Sequence, residues 1–417
     1  MKHLYYKLIL KQLSPLRIST GDAEETDSDI LRDKRGLPFV PGSSIAGVLR
    51  DMLEKDKAES IFGYINGNII KESRIKISDA VLSSDVKEED IRISTRDGVG
   101  LDEWGCALKG SKYDFQIVES DKEYNAVIDC ETDEKEDIEN ILDDLFGKIV
   151  ANDIRFGART SRGYGLFKAI IRKKSFMFPG DAAKWLEFDP FEKDAFEVSD
   201  EIEPVNTVEG YDRLDIDFHI EGTFNLRVKS TKYEVEDDGT KPDSVPLMDM
   251  KGNAVIPGTA WAGAIRHHMC KLAKEYGLGE RIADVNALFG KMPVGEDHKK
   301  SKIYFSETVL DNGSYVTVSR NALDRFTQAP RNGAVFTVKC ARGGKGSLEI
   351  LIKKGALEHL FRQLLSAVII DMDLGLMPVG GENGIGRGCL KIDKICVNES
   401  EITDKLRAGS AELLEVR

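Results

Sequence analysis

The feature that most constrains this chain is that it contains itself twice. Residues 27–50 read DSDILRDKRGLPFVPGSSIAGVLR, and residues 243–266 read DSVPLMDMKGNAVIPGTAWAGAIR. Asp27, Asp33, Pro41, Gly42, Gly47 and Arg50 thus recur as Asp243, Asp249, Pro257, Gly258, Gly263 and Arg266. Three looser echoes follow in the same order: SDAVL (78–82) with SETVL (306–310), TRDGV (95–99) with SRNAL (319–323), and GYGLF (163–167) with GRGCL (386–390). The offset drifts between matches, which marks insertions of the kind that loops tolerate. Matches kept in order along both halves mean a tandem duplication, and whatever one half folds into, the other must fold into as well. The first copy runs over 1–174 and the second over 211–417. The acidic segment between them, 175–210, carries Phe176, Phe178, Trp185, Phe188, Phe191 and Phe196. A free tether is normally poorer in aromatics, so this one is expected to pack against something.

Each copy reads as strand, loop, helix, strand, irregular insertion, strand, helix, glycine loop, strand. The first helix of the first copy has its apolar residues at Ile45, Val48, Leu49, Met52 and Leu53, one face of a helix. It follows Pro-Gly-Ser-Ser, where a serine hydroxyl can cap the first free amides. The second helix shows the same spacing at Ile138, Ile141, Leu142, Leu145 and Ile149, and its counterpart at Leu357, Leu360, Phe361, Leu364, Leu365 and Val368. Strand candidates include YYKLIL, RIKISDAVL, YDFQIVE and GLFKAIIR. The order β-α-β-β-α-β places two helices behind one antiparallel sheet, an α+β ferredoxin-like fold, here twice in tandem.

Charge narrows the partners. The formal net charge is −13, but the acidity is local. Residues 131–144 carry eight acids and one Lys, residues 175–210 ten acids and two Lys, and the rest of the chain sums to +2. Residues 151–174 hold seven Lys and Arg against one Asp, and residues 319–345 six against one. Basic faces for a polyanion therefore remain available. No run approaches the length of a membrane span, and the N-terminal MKHLYYKLIL is not expected to be a signal peptide. The six cysteines (106, 130, 270, 340, 389 and 396) lack C-x-x-C spacing. They are expected to be reduced thiols of a cytoplasmic protein, neither a disulfide framework nor a zinc site.

The two glycine loops, FGARTSRGYG (156–165) and VGGENGIGRG (379–388), each follow a helix and precede a strand. Gly157, Gly163 and Gly165 with Arg159 and Arg162, and Gly384, Gly386 and Gly388 with Arg387, suit either an RNA phosphate or a tight turn needed for packing. Neither loop is a Walker loop or a dinucleotide fingerprint. Asp27 and Asp243 sit in polar loops. By spacing alone, each could bind a divalent ion, assist proton transfer at a 2′-hydroxyl, or simply bond nearby amides in an Asp-Ser turn. Asp33 and Asp249, nearer the following turn, look structural. His267 and His268 lie on the first helix of the second copy. His268 takes the place of Met52 on the apolar stripe and is expected to be a half-buried packing residue. With Cys270 they make no metal set. His3, His219, His298 and His359 have no partner visible in sequence, so a nucleophile–histidine arrangement has no support. Trp104 lies in the first insertion, where it could stack on a base or anchor the insertion.

The run LxxLRIxTGD (13–22), the segment through PGSSIAGVLR and the glycine loop together resemble the RAMP superfamily of CRISPR proteins. Each half is most similar to a backbone subunit of type III CRISPR effector complexes, and SRNALDRFTQAPRNGAVFTV (319–338) resembles that family's inserted thumb. The whole resembles a tandem fusion of two such subunits. The resemblance implies a modified RNA-recognition-motif fold that assembles along a guide RNA beside other type III effector subunits. Its thumbs interrupt the duplex with a complementary target RNA. A loop aspartate, in an Asp-Ser segment six residues before a second acid, then supports cleavage with a divalent metal, Mg or Mn. Asp27 and Asp243 match that place. The implied reaction is attack by the 2′-hydroxyl on the adjacent phosphodiester, leaving a cyclic phosphate and a 5′-hydroxyl, with the aspartate as metal ligand or as base. Implied RNA contacts are Ser43, Ser44, Arg50, Arg96, Thr259, Arg266, Arg320 and Arg325, besides the glycine-loop residues. Where relatives carry lysines in PGSSxKGKLR, this chain has Ala46 and Val48, then Ala262 and Ala264. The first insertion matches only at Thr95, Arg96 and Asp97.

The expectation is a guide-binding backbone subunit with two target-RNA cleavage sites. Its rivals are a non-catalytic scaffold of the same complex and a guide-processing endonuclease, for which no His, Tyr or Lys acid–base set can be assembled. A nucleotide-binding metabolic enzyme is motivated only by the glycine loops.

Overall fold

The computed structural model describes residues 1–19, 21, 25–67, 69–102, 106–133, 137–205, 210–229, 239, 241–291 and 299–409. They form two compact units. One holds the described residues of Met1–Thr160 and Tyr164–Val208, the other those of Ser161–Gly163 and Glu209–Arg417.

Unit 1 is built from β1 (Lys2–Gln12), α1 (Gly42–Asp51), β2 (Ile75–Ile77), β3 (Ile93–Leu101), β4 (Ala107–Val118), β5 (Glu123–Thr132), α2 (Ile138–Ala151) and β6 (Leu166–Met177). The strands of its main sheet run β6-β1-β5-β2, all antiparallel. Leu4, Tyr6, Leu8 and Leu10 alternate along β1 and face the helices, where they meet Ile45 and Leu49 of α1 and Leu142, Leu145, Phe146 and Ile149 of α2. Burying each such side chain contributes about 1.5–3 kcal/mol, so the period-two strand and the two apolar helix faces specify one another.

The start of α1 differs from the expected serine cap. No side chain caps the helix by the usual route, and Ser43 and Ser44 lie inside the first turn. The Gly42 N–H donates instead to Asp79 Oδ1 at 2.8 Å. A side chain at Gly42 would bring a Cβ to 2.4 Å from the Ile77 carbonyl. The helix begins where the backbone can touch the end of β2, and the carboxylate that meets its free amide comes from there.

Unit 2 repeats the plan with β7 (Tyr211–Ile220), α3 (Gly258–Glu275), β8 (Ile303–Phe305), β9 (Ser314–Leu323), β10 (Pro330–Arg342), β11 (Lys345–Lys353), α4 (His359–Asp373) and β12 (Leu390–Val397). Its main sheet runs β8-β11-β7-β12. Leu214, Ile216, Phe218 and Ile220 of β7 pack on Trp261, Ile265 and Met269 of α3 and on Phe361, Leu364, Val368 and Met372 of α4. The buried Trp261 N–H is met by Thr308 Oγ1 at 3.1 Å. Both units therefore have the fourth-first-third-second strand order of a ferredoxin-like fold, and the chain is α+β with that fold in tandem.

The insertions are not irregular, as the sequence suggested. Each is an antiparallel hairpin, β3 with β4 and β9 with β10, and each has a register shift near its tip. Toward the tips both faces are open to solvent: Val99, Leu101 and Leu108 in one, and Leu323, Phe326 and Val335 in the other, are about half to nine-tenths exposed. The tips, with no buried face, show no apolar alternation and do not read as strands, whereas YDFQIVE, expected as a strand, is the buried root half of β4.

The aromatic segment packs within unit 1. Tyr5, Val127 and Phe176 project from the sheet face opposite the helices and are met by Phe178, Trp185, Phe188 and Phe196. Trp185 Nε1 donates to the Tyr5 hydroxyl at 2.9 Å. Phe191 is exposed. Asp200–Glu201 then pairs with the edge of β6. Among the described residues, no helix is long and apolar enough to cross a membrane.

Candidate nucleic-acid interface

The structure puts both repeated aspartates at the root of a hairpin, each bonded to its outgoing strand. Asp27 Oδ2 accepts the backbone N–H of Asp114 on β4 at 3.0 Å, while the Asp27 N–H donates to Asp114 Oδ1 at 2.9 Å. Asp243 Oδ2 accepts the N–H of Thr337 on β10 at 2.8 Å, while the Asp243 N–H donates to the Thr337 carbonyl at 2.8 Å. Both side chains are exposed. Arg96 pairs with Phe115 in the first hairpin, and Arg320 with Phe336 in the second. Asp27 attaches one residue to the tip side of that pair, and Asp243 one residue to the base side. One carboxylate oxygen is thus fixed on the outgoing hairpin strand in each unit. The other, Oδ1, takes no hydrogen bond from the described residues.

Asp33 and Asp249 serve the turns they stand in. Asp33 Oδ1 accepts the N–H groups of Arg35 and Leu37, and its Oδ2 takes the Arg35 guanidinium at 2.9 Å. Burial alone would raise this carboxyl, but the Leu37 and Arg35 hydrogen bonds outweigh it and hold it below the usual range. Asp249 accepts the N–H groups of Lys251 and Asn253 in the same way.

The glycine loops share the backbone hydrogen bonds that anchor them. Phe156 N–H donates to the Gly165 carbonyl and Val379 N–H to the Gly388 carbonyl, both at 2.9 Å. Ala158 N–H bonds the Arg17 carbonyl at 2.8 Å, and Gly381 N–H the Asn225 carbonyl at 2.7 Å. A Cβ at Gly157 would lie 2.3 Å from the Arg17 carbonyl, and at Gly165 or Gly388 within 2.0 Å of the loop's own backbone. These glycines permit the loop to fold onto the chain leaving the first strand. Gly384 and Gly386 have open space beside them, and Gly163 adjoins the backbone of Phe305–Glu307.

Position by position, the loops set Arg159 against Glu382, and both have left-handed backbones (φ 60° and 62°). Arg159 donates to the Tyr113 hydroxyl at 2.7 Å and lies over the Tyr113 and Phe115 rings at 4.7 and 4.9 Å. Arg17 lies over the same Phe115 ring at 4.2 Å. In unit 2, Glu382 accepts Arg320 at 2.6 Å, Arg387 at 2.8 Å and the Asn225 amide at 3.4 Å. Arg387 is buried and also contacts the Cys340 thiol. Sequence reasoning missed Glu382, Arg17, Tyr113 and Asp114. The equal loop lengths pair Glu382 with Arg159, whereas nothing local to the sequence brings Asp114 to Asp27.

The remaining candidates are spread over the two units. Ser43 and Arg50 are exposed on α1, and Ser44 is half-buried. Thr259 and Arg266 are half-buried on α3, and Arg266 donates to Asn286 Oδ1 at 2.9 Å. Arg96 is buried in the root of the first hairpin, and Arg325 is exposed near the tip of the second. Arg162 donates to the Phe289 carbonyl at 2.7 Å. His268 is more buried than expected and bonds Asp371 on α4 through Nε2 at 2.6 Å. Trp104 and His298, with Thr20 and Asp22 of the N-terminal motif, lie outside the described residues.

Among the described residues no group of three or more His, Cys, Asp or Glu is placed to hold a metal ion. Asp27 with Asp114 offers two hard carboxylates, and Asp243 offers one. That donor set suits magnesium, which keeps several waters and is commonly held by one or two carboxylates together with substrate phosphates.

A family model described as the RAMP superfamily matches residues 9–168 and 217–391, one region in each unit. No curated protein sequence matches the chain. A solved chain described as a type III-B Cmr-beta apo-state cryo-electron-microscopy structure is similar at 12% identity and a TM-score of 0.33, covering 40% of this chain and 96% of its own.

Proposed function

Because the chain belongs to the RAMP superfamily, we propose that it is a guide-RNA-binding backbone subunit of a type III CRISPR effector complex, two such domains in one chain, which cleaves complementary target RNA at Asp27 and Asp243. The observation that carries this reading is that both aspartates are anchored alike on an outgoing hairpin strand. Each is exposed at a hairpin root, with Oδ2 fixed by a backbone amide and Oδ1 left for chemistry.

A hairpin with exposed apolar side chains near its tip can part a duplex and leave the target strand strained beside its root. There the aspartate's Oδ1 takes the 2′-hydroxyl proton. The O2′–phosphorus bond forms as the bond to the 5′-oxygen breaks, and that oxygen takes a proton from water. Fixing Oδ2 means that no side-chain rotation has to be frozen during reaction. Asp27 with Asp114, and Asp243 alone, would hold a divalent ion, which when bound neutralises charge on the phosphate. A cytoplasmic location follows from this reading.

The test is the full complex with guide RNA, magnesium and labelled target, comparing wild type with the Asp27→Asn/Asp243→Asn double variant. Retained target binding with cleavage lost by at least about a hundredfold is the expected result, the size typical of removing a general base. Undiminished cutting would leave the chain a scaffold, and guide-independent cutting of repeat RNA would make it a processing enzyme.

A further inference from the structure

The two glycine loops share a backbone but enclose opposite charge. In unit 2 the loop's own Glu382 sits among Asn225, Arg320 and Arg387 and neutralises one of the two cations. In unit 1 the same place holds Arg159, and the residue matching Asn225 is a second cation, Arg17. Tyr164 stands where Arg387 does and packs edge-on to Phe115. Among the described residues, no carboxylate lies within ion-pairing distance of Arg17 or Arg159. Their partners are aromatic: Phe115 for both, and the Tyr113 ring and hydroxyl for Arg159. Both residues are partly exposed, and the buried Arg17 Nε has no hydrogen-bond partner among the described residues.

Two like charges over one ring repel. Cation–π attraction to the ring offsets part of that. Burial first, and then Arg159, push the Arg17 guanidinium below its ordinary value, yet arginine stays charged at any physiological pH. An anion bound at these guanidiniums would relieve the repulsion. Beyond the N–H that Arg159 gives Tyr113, each guanidinium has further donors for the paired hydrogen bonds that phosphate oxygens accept.

We propose that Arg17 and Arg159, at the root of the first hairpin, form a phosphate-binding site for the RNA backbone, and that unit 2 lacks this site because Glu382 occupies the equivalent place. The phosphodiester as source rests on the guide-binding reading above. The phosphate site itself does not. The chain consequently grips RNA unequally, with a fixed phosphate contact beside Asp27 and none beside Asp243.

The experiment uses the full chain and two probes. Binding of a labelled single-stranded RNA is followed across a salt series for wild type, Arg159→Gln and Arg17→Gln. Each substitution should weaken binding about three- to tenfold and lower the slope of log affinity against log salt by about 0.7, the value for one lost contact to single-stranded nucleic acid. Unchanged slopes in both variants would overturn the proposal even if the wild type binds RNA well. Inorganic phosphate is the second probe, read by hydrogen exchange. Protection should rise over residues 156–165 and not over 379–388, and should vanish in either variant. A wild type that ignores RNA but shows that protection would remove the guide-binding reading and keep the site. Equal protection of both loops, or none, would overturn it. Wild-type-like exchange in the cores without phosphate separates a lost site from a lost fold.

Discussion

The two units fold their glycine loops with matching hydrogen bonds and stabilise them with different chemistry. Unit 1 lays Arg17 and Arg159 on the aromatics of the hairpin root. Unit 2 ties Arg320 of its hairpin and Arg387 of its loop to one carboxylate, Glu382. The shared task is to join the hairpin root to the loop, and so to hold the surface on which the aspartate is mounted. Duplication kept the backbone solution and the aspartate while the charges diverged. Backbone geometry, rather than any particular side-chain pair, is therefore what the site depends on. A second contrast lies on the sheets, since unit 1 covers its outer sheet face with an aromatic segment. On β7 of unit 2 the side chains directed away from the core include Arg213, Asp215, Asp217 and His219.

The largest difference between the loops should appear when the central charge of each is removed. Glu382→Gln leaves two guanidiniums without their shared carboxylate, one of them Arg387 with a side chain 7% exposed. Stripping one partner from a buried ion pair costs about 3–5 kcal/mol. Arg159→Gln removes a partly exposed cation from beside another, so its cost should stay below about 1 kcal/mol. Chemical denaturation of both variants measures the difference, and equal losses would mean that the ion network is not what secures the second loop.

A smaller effect is expected where the units agree. Asp33→Asn should cost about 1 kcal/mol at neutral pH, as losing a capping carboxylate does. The Asp33 carboxyl titrates lower folded than unfolded. Its stabilisation is therefore complete above the unfolded carboxylate range, near 4, and fades as pH falls through the folded value. The gap between variant and wild type should narrow on acidification, and a gap constant down to acid pH would show that the charge plays no part.

How far the sequence could be read follows the same physics. β1, α1, α2 and their counterparts were legible because Leu4, Tyr6, Leu8 and Leu10, or Leu142, Leu145 and Ile149, repeat at the period of the element that buries them. The hairpin tips were not, because residues such as Val99 and Phe326 stay open to solvent, whereas YDFQIVE at the root of β4 did read as a strand because Phe115 and Ile117 are buried. Asp27 and Asp243 stood out by repetition, but the amide that fixes each comes from the outgoing hairpin strand, at a separation that no local pattern encodes. Glu382 could be aligned with Arg159 by counting along the loops. That both turn inward onto the hairpin root is a consequence of their left-handed backbone, visible only in three dimensions.

Whether each unit has its own cleavage aspartate is answered by mapping the cuts in labelled complementary RNA made by the assembled complex in magnesium, using Asp27→Ala and Asp243→Ala separately. Each substitution should erase one cut and spare its neighbour one backbone unit away. A map unchanged by both substitutions would contradict it, and would make the two aspartates staples that fix hairpins to the body of each unit.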